Sequence, residues 1–128
     1  MKQHSPGFVS LVSAAKKNVK EISAQTLKKM IDQKQSFYLI DVREDSEWAN
    51  GAIPSSIHLS KGVIERDIEK NIADYNKPIV VYCSGGFRSA LVADNLQKMG
   101  YTDIHSLSGG STAWGEAGYA LGPKVRDK

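Results

Sequence analysis

Ile79-Val80-Val81-Tyr82-Cys83-Ser84-Gly85-Gly86-Phe87-Arg88-Ser89-Ala90 is the stretch that decides the architecture. Its first four residues form an unbroken apolar run behind Pro78, as in a central parallel strand covered on both faces. Beyond the glycines, the spacing of Leu91, Val92, Leu96 and Met99 predicts a helix over 88–99, with Gly100 as its terminator. The only cysteine of the chain, Cys83, therefore falls where a strand ends and a helix begins. Gly85 and Gly86 allow a tight turn around whatever binds the sulfur. The first N–H groups of the helix point toward the same spot, which favours negative charge there and any anion beside it. A lone cysteine after a strand is often core material; joined to Gly-Gly, an arginine and a helix start, it reads as a nucleophile or sulfur carrier.

Outward from this segment, strand and helix signals alternate. A helix is predicted over 8–17, and another begins at Ser23, which can cap it, with Leu27, Met30 and Ile31 facing inward. Phe37-Tyr38-Leu39-Ile40 reads as an internal strand ending at Asp41-Val42-Arg43. Asp45 or Ser46 can then cap a short helix through Trp48, stopped by Asn50-Gly51. A short strand is expected at Ile57-His58-Leu59 and a helix over 63–73 with Ile64, Ile68 and Ile72 inward. Asp103 to Leu107 supplies a further strand, followed by a terminal helix around 112–117. This order argues for α/β architecture rather than a bundle or a sandwich.

Composition sets the outer bounds. The chain has 128 residues, enough for one domain with a continuous core, and a net charge of +3. Its basic excess gathers in Lys2, Lys16, Lys17, Lys20, Lys28 and Lys29, and again in Lys124, Arg126 and Lys128. A solvated surface explains it; no zinc finger or aromatic–basic array points to nucleic acid. No stretch has the apolar length of a membrane span and no h-region marks a leader, so neither membrane nor export is expected. A single cysteine excludes an intrachain disulfide and an internal Cys-Cys relay, and fits a reducing, cytoplasmic setting. His4, His58 and His105 lack a ligand spacing, so no metal is expected. Glu47 and Asp45 read as cap and scaffold residues, and Trp48 and Trp114 as core. Arg88 adds positive charge beside Cys83, or holds the loop through a carboxylate pair.

Several motifs together resemble the rhodanese, or sulfurtransferase, family. Asp41-Val42-Arg43 with Glu47-Trp48 and Gly51-Ala52-Ile53-Pro54 is similar to the early family signature. Cys83 to Ser89 resembles the active loop, and Leu107-Ser108-Gly109-Gly110 with Trp114 and Gly118 the closing signature. The resemblance spans residues 22–122, leaving a helical extension at 1–21 and a short basic tail at 123–128. It implies a five-stranded parallel sheet flanked by helices, Cys83 as the sulfur-accepting residue, and Ser84, Gly85, Gly86, Phe87 and Arg88 as its anion pocket. Asp41 and Arg43 would organise the scaffold near that pocket. Many relatives have a histidine where this chain has Ala52, which removes a polar scaffold contact. The implied chemistry is sulfane-sulfur transfer through a Cys83 persulfide, from thiosulfate or a persulfide to cyanide, a thiol or a protein cysteine, without metal, flavin or nucleotide. Related phosphatases and arsenate reductases carry a Cys-x5-Arg loop; here Arg88 makes it Cys-x4-Arg, a tighter cradle that disfavours phosphate esters. A non-catalytic binding or regulatory module that has kept the cysteine is the other reading. Nothing in the pattern names an oligomeric state.

Overall fold

The structure, a computed structural model, describes residues 4–122; the expected basic tail at 123–128 and residues 1–3 lie outside the described residues. Five strands form one parallel sheet: β1 (Lys20–Ile22), β2 (Tyr38–Asp41), β3 (Ile57–His58), β4 (Ile79–Tyr82) and β5 (Ile104–Leu107). Their order is β1-β5-β4-β2-β3, which puts β4 at the centre, as its apolar run requires. Six helices accompany them: α1 (Pro6–Lys16), α2 (Ala24–Asp32), α3 (Asp45–Ala49), α4 (Ile64–Asn71), α5 (Phe87–Met99) and α6 (Gly110–Glu116). The α/β class and the five-stranded parallel sheet expected from the sequence are both present.

Side chains alternate across β4 and divide the core in two. Ile79, Val81 and Cys83 face one layer, where Ile64 and Ile68 of α4 meet Val92, Ala93 and Leu96 of α5. Val80 and Tyr82 face the other, against Leu27 of α2 and Trp114 of α6. Each such aliphatic side chain, taken fully out of water, contributes roughly 1.5–3 kcal/mol. The caps follow local chemistry: Ser23 Oγ accepts the Thr26 N–H at 3.0 Å, as expected from the sequence. For α3 the expectation needs correcting, because the N-cap is Glu44 rather than Asp45 or Ser46. Glu47 reaches back to the Glu44 N–H at 2.9 Å while the Glu44 side chain takes an α3 N–H, a reciprocal capping box.

The sheet order has a functional consequence. From β2 the chain continues outward to β3, whereas from β4 it turns the other way to β5. The loops after β2 and β4 thus separate at the carboxyl ends of two adjacent strands, which opens a crevice where ligands of open α/β sheets bind.

Candidate active site

Cys83 follows β4 directly and keeps the inward direction of Ile79 and Val81. The loop curls around Cys83 and buries it to 1% exposure. Cys83 forms the floor of a cleft of about 400 Å³, walled by His4, Phe8, Glu47, Ser84, Gly85, Phe87, Arg88 and Thr112. The Gly86 N–H donates to Sγ at 3.1 Å and the Ser89 N–H at 3.4 Å. Ser89 Oγ lies 3.6 Å from the sulfur and is held by Ser106 Oγ at 2.8 Å. Two backbone donors at the start of α5 therefore converge on one sulfur, which stabilises negative charge on it. Gly86 is the N-cap at φ +91°, and a Cβ there would stand 3.0 Å from the Gly109 nitrogen. The turn needs a glycine on both counts.

The loop is gripped from its other side by α6. The Ser111 N–H donates to the Cys83 carbonyl at 2.8 Å and the Thr112 N–H to that of Ser84 at 3.0 Å. Only a residue without a side chain permits this approach: at Gly110, φ +59°, an added Cβ would overlap the Cys83 carbonyl oxygen and lie 2.5 Å from that of Ser84.

Arg88 takes the carboxylate-paired role. Its guanidinium donates to the two oxygens of Glu47 at 2.8 and 3.1 Å, and to Ser84 Oγ at 3.3 Å, while Ser84 Oγ donates to Glu47 at 3.0 Å. The Arg88 hydrogen bonds hold the Glu47 carboxyl down at about 2, and the same contact raises Arg88 above its ordinary value. Glu47 thereby ties α3, after β2, to the loop after β4, across the crevice.

Asp41 and Arg43 lie beneath this layer and do not line the cleft. Arg43 donates to both Asp41 oxygens at 2.8–3.0 Å and to the Gly51 carbonyl at 2.7 Å. Tyr82 Oη donates to Asp41 at 2.7 Å and accepts the Ile53 N–H at 3.0 Å. The buried network pins the segment after α3 to β2 and β4. Ala52 is buried and pairs through its backbone with Gly122 at 3.0 and 2.9 Å.

The histidines part company. His58 stacks on Trp48 with ring centroids 4.9 Å apart and hydrogen-bonds the Arg43 carbonyl; His105 faces Asp103. His4 lies over Phe87 at 4.5 Å and so reaches the cleft, as does Phe8. Neither was singled out from the sequence as a site residue, and no local pattern marks them, since they arrive only through α1 packing along α5. The Glu47–Ser84–Arg88 link joins residues 41 and 37 positions apart, so its partners too were invisible even though the cap and the carboxylate pair were both foreseen. Among the described residues no group of three His, Cys, Asp or Glu could hold a metal, and no helix is long and apolar enough to cross a membrane.

The model of the rhodanese-like domain matches residues 23–117. "Putative sulfurtransferase YtwF" of Bacillus subtilis is 40% identical over 96 residues, which cover 75% of this chain and 90% of that protein. "Thiosulfate sulfurtransferase GlpE" of Shewanella oneidensis is 34% identical over 98 residues, covering 77% and 94%. Among solved structures, RPA3614 of Rhodopseudomonas palustris, described as of unknown function and a possible tyrosine phosphatase, superposes with a TM-score of 0.80 at 26% identity, covering 94% of this chain and 98% of that one.

Proposed function

Because the chain belongs to the rhodanese-like domain family, we propose that it is a sulfurtransferase that carries sulfane sulfur on Cys83. The observation that carries this reading is the convergence of the Gly86 and Ser89 N–H groups on Sγ at the floor of the cleft. In the first half-reaction the Cys83 sulfur attacks the outer sulfur of thiosulfate. A new S–S bond forms, the old one breaks, and sulfite leaves with its electron pair. The persulfide that remains bears a terminal negative sulfur. The N–H groups of the first turn of α5, which lack acceptors within the helix, offset that charge without a separate general base. In the second half-reaction an acceptor nucleophile takes the terminal sulfur and Cys83 is restored. Cyanide or a small thiol serves as acceptor, and the lone cysteine requires that sulfur leave to a separate molecule.

A phosphatase reading has less support. Cys83 and Arg88 are separated by four residues, and Arg88 is committed to Glu47 through two hydrogen bonds instead of facing an empty anion cradle. The test is steady-state formation of thiocyanate from thiosulfate and cyanide. Parallel double-reciprocal lines, with activity lost in Cys83→Ser, are the expected outcome; turnover that survives Cys83→Ser overturns the assignment.

A further inference from the structure

Three aromatic rings line one side of the Cys83 cleft, and two of them come from outside the family-matched segment. His4, Phe8 and Phe87 form a closed triangle with centroid separations of 5.2, 4.5 and 5.8 Å, whereas the family match begins at residue 23. Lys16 from the same helix lies 5.3 Å over Phe87 and is itself paired with Glu21 at 3.5 Å. The Arg88–Glu47 pair, whose charges compensate each other, also lines the cleft. With Arg88 already paired to Glu47, the cleft offers a small anion chiefly the backbone N–H groups beside Cys83, and offers a carbon body the π surface of three rings in the same lining.

From this we propose that α1 completes a recognition subsite for the organic part of the sulfur donor, and that Phe8 selects donors of the type R–SO2–S⁻ or R–S–S⁻, with R apolar, over thiosulfate. The proposal rests on sulfur transfer through Cys83 and names its substrate class. For a thiosulfonate, Cys83 sulfur attacks the terminal sulfur, the S–S bond breaks, and the sulfinate R–SO2⁻ departs with the electron pair, leaving the Cys83 persulfide. A cleft of about 400 Å³ over a thiol buried to 1% exposure suits a small molecule of this kind. A flat aromatic body stacking at 4.5–7 Å against such a wall gains more than its buried area alone provides.

The experiment compares benzenethiosulfonate with thiosulfate as donors to the full chain, in the parent, Phe8→Ala and Phe8→Leu. The expected result is a loss of about fivefold or more in kcat/KM for benzenethiosulfonate in Phe8→Ala, with thiosulfate changed less than about twofold and Phe8→Leu, which restores apolar area but no ring, recovering only part of the loss. Equal losses on both donors, or no loss on either, overturn it. A second readout needs no turnover: benzenesulfinate should slow iodoacetamide alkylation of Cys83 in the parent more than sulfite does, and this preference should vanish in Phe8→Ala. Failure of both donors to form a persulfide sinks the sulfurtransferase reading, while the alkylation result still decides the aromatic subsite. Thermal melting of each variant separates a lost wall from a lost fold.

Discussion

Substituting Gly110 by alanine tests how the candidate loop is held, and the size of the effect follows from geometry. Gly110 has φ +59°, and alanine in that region costs about 1–2 kcal/mol. The new Cβ would also overlap the Cys83 carbonyl oxygen and stand 2.5 Å from the Ser84 oxygen, so the loop must retreat from α6. That retreat stretches the Ser111–Cys83 and Thr112–Ser84 hydrogen bonds, each contributing about 0.5–1.5 kcal/mol. The expected destabilisation is roughly 2–5 kcal/mol, which lowers a urea midpoint by about 1–2 M. Because the displaced carbonyls belong to Cys83 and its neighbour, persulfide formation should fall about tenfold or more, by the sensitivity of positioned reactive groups to small shifts. Gly85 is the control in the same loop: an added Cβ meets nothing within 4 Å, so Gly85→Ala should stay within about 0.5 kcal/mol of the parent or exceed it. A Gly110→Ala protein with the midpoint and sulfur-loading rate of Gly85→Ala would refute the argument that α6 clamps the loop.

Other perturbations probe the layers around it. Glu47 falls from 4.5 to about 2 on folding, so its contribution is fully present above about 4.5 and fades as pH drops toward about 2. The shift sets a ceiling of roughly 3 kcal/mol, and screening of side chains that are 27% and 32% exposed reduces the expected loss to roughly 1–2 kcal/mol. Urea titrations of the parent and Glu47→Gln between those pH values should converge at the acid end; a constant gap between them contradicts the assigned cause. Tyr82→Phe removes the hydroxyl that donates to Asp41 and accepts the Ile53 N–H; Asp41 keeps its Arg43 donors, but the buried Ile53 N–H is left unpaired, at a cost of about 1–3 kcal/mol by denaturant melting. A near-neutral Tyr82→Phe would mean that water replaces the hydroxyl. Arg88→Ala frees Glu47 to place an uncompensated charge at the cleft, so KM for thiosulfate should rise with salt-sensitive kinetics; an unchanged KM would show that the pair does not influence donor entry.

Much of this arrangement is legible in the sequence where local chemistry and tertiary packing agree. Ile79–Tyr82 reads as the central strand because its apolar run is continuous, and α5 follows from the spacing of Leu91, Val92, Leu96 and Met99 ahead of Gly100. β1 escaped notice for the opposite reason. Lys20-Glu21-Ile22 is three residues long with two exposed, and it is a strand only because β5 offers it an edge. The α3 cap lies one or two residues before the Asp45 or Ser46 that the sequence suggests, because Glu44 is an uncommon cap that works through its bond with Glu47. The cleft was half visible: its floor is contiguous in sequence, but His4, Phe8 and the Glu47–Arg88 bridge are long-range meetings. No spacing rule reports contacts between residues so far apart.

The most direct test of the central claim is intact-mass measurement of the reduced protein after incubation with thiosulfate. The account predicts a gain of about 32 Da, the mass of one added sulfur, that maps to Cys83, is absent in Cys83→Ser and is removed by cyanide as thiocyanate. A protein that stays at its starting mass with thiosulfate and with organic donors alike, while Cys83 still alkylates, would contradict sulfur transfer and leave a rhodanese-like binding module in its place.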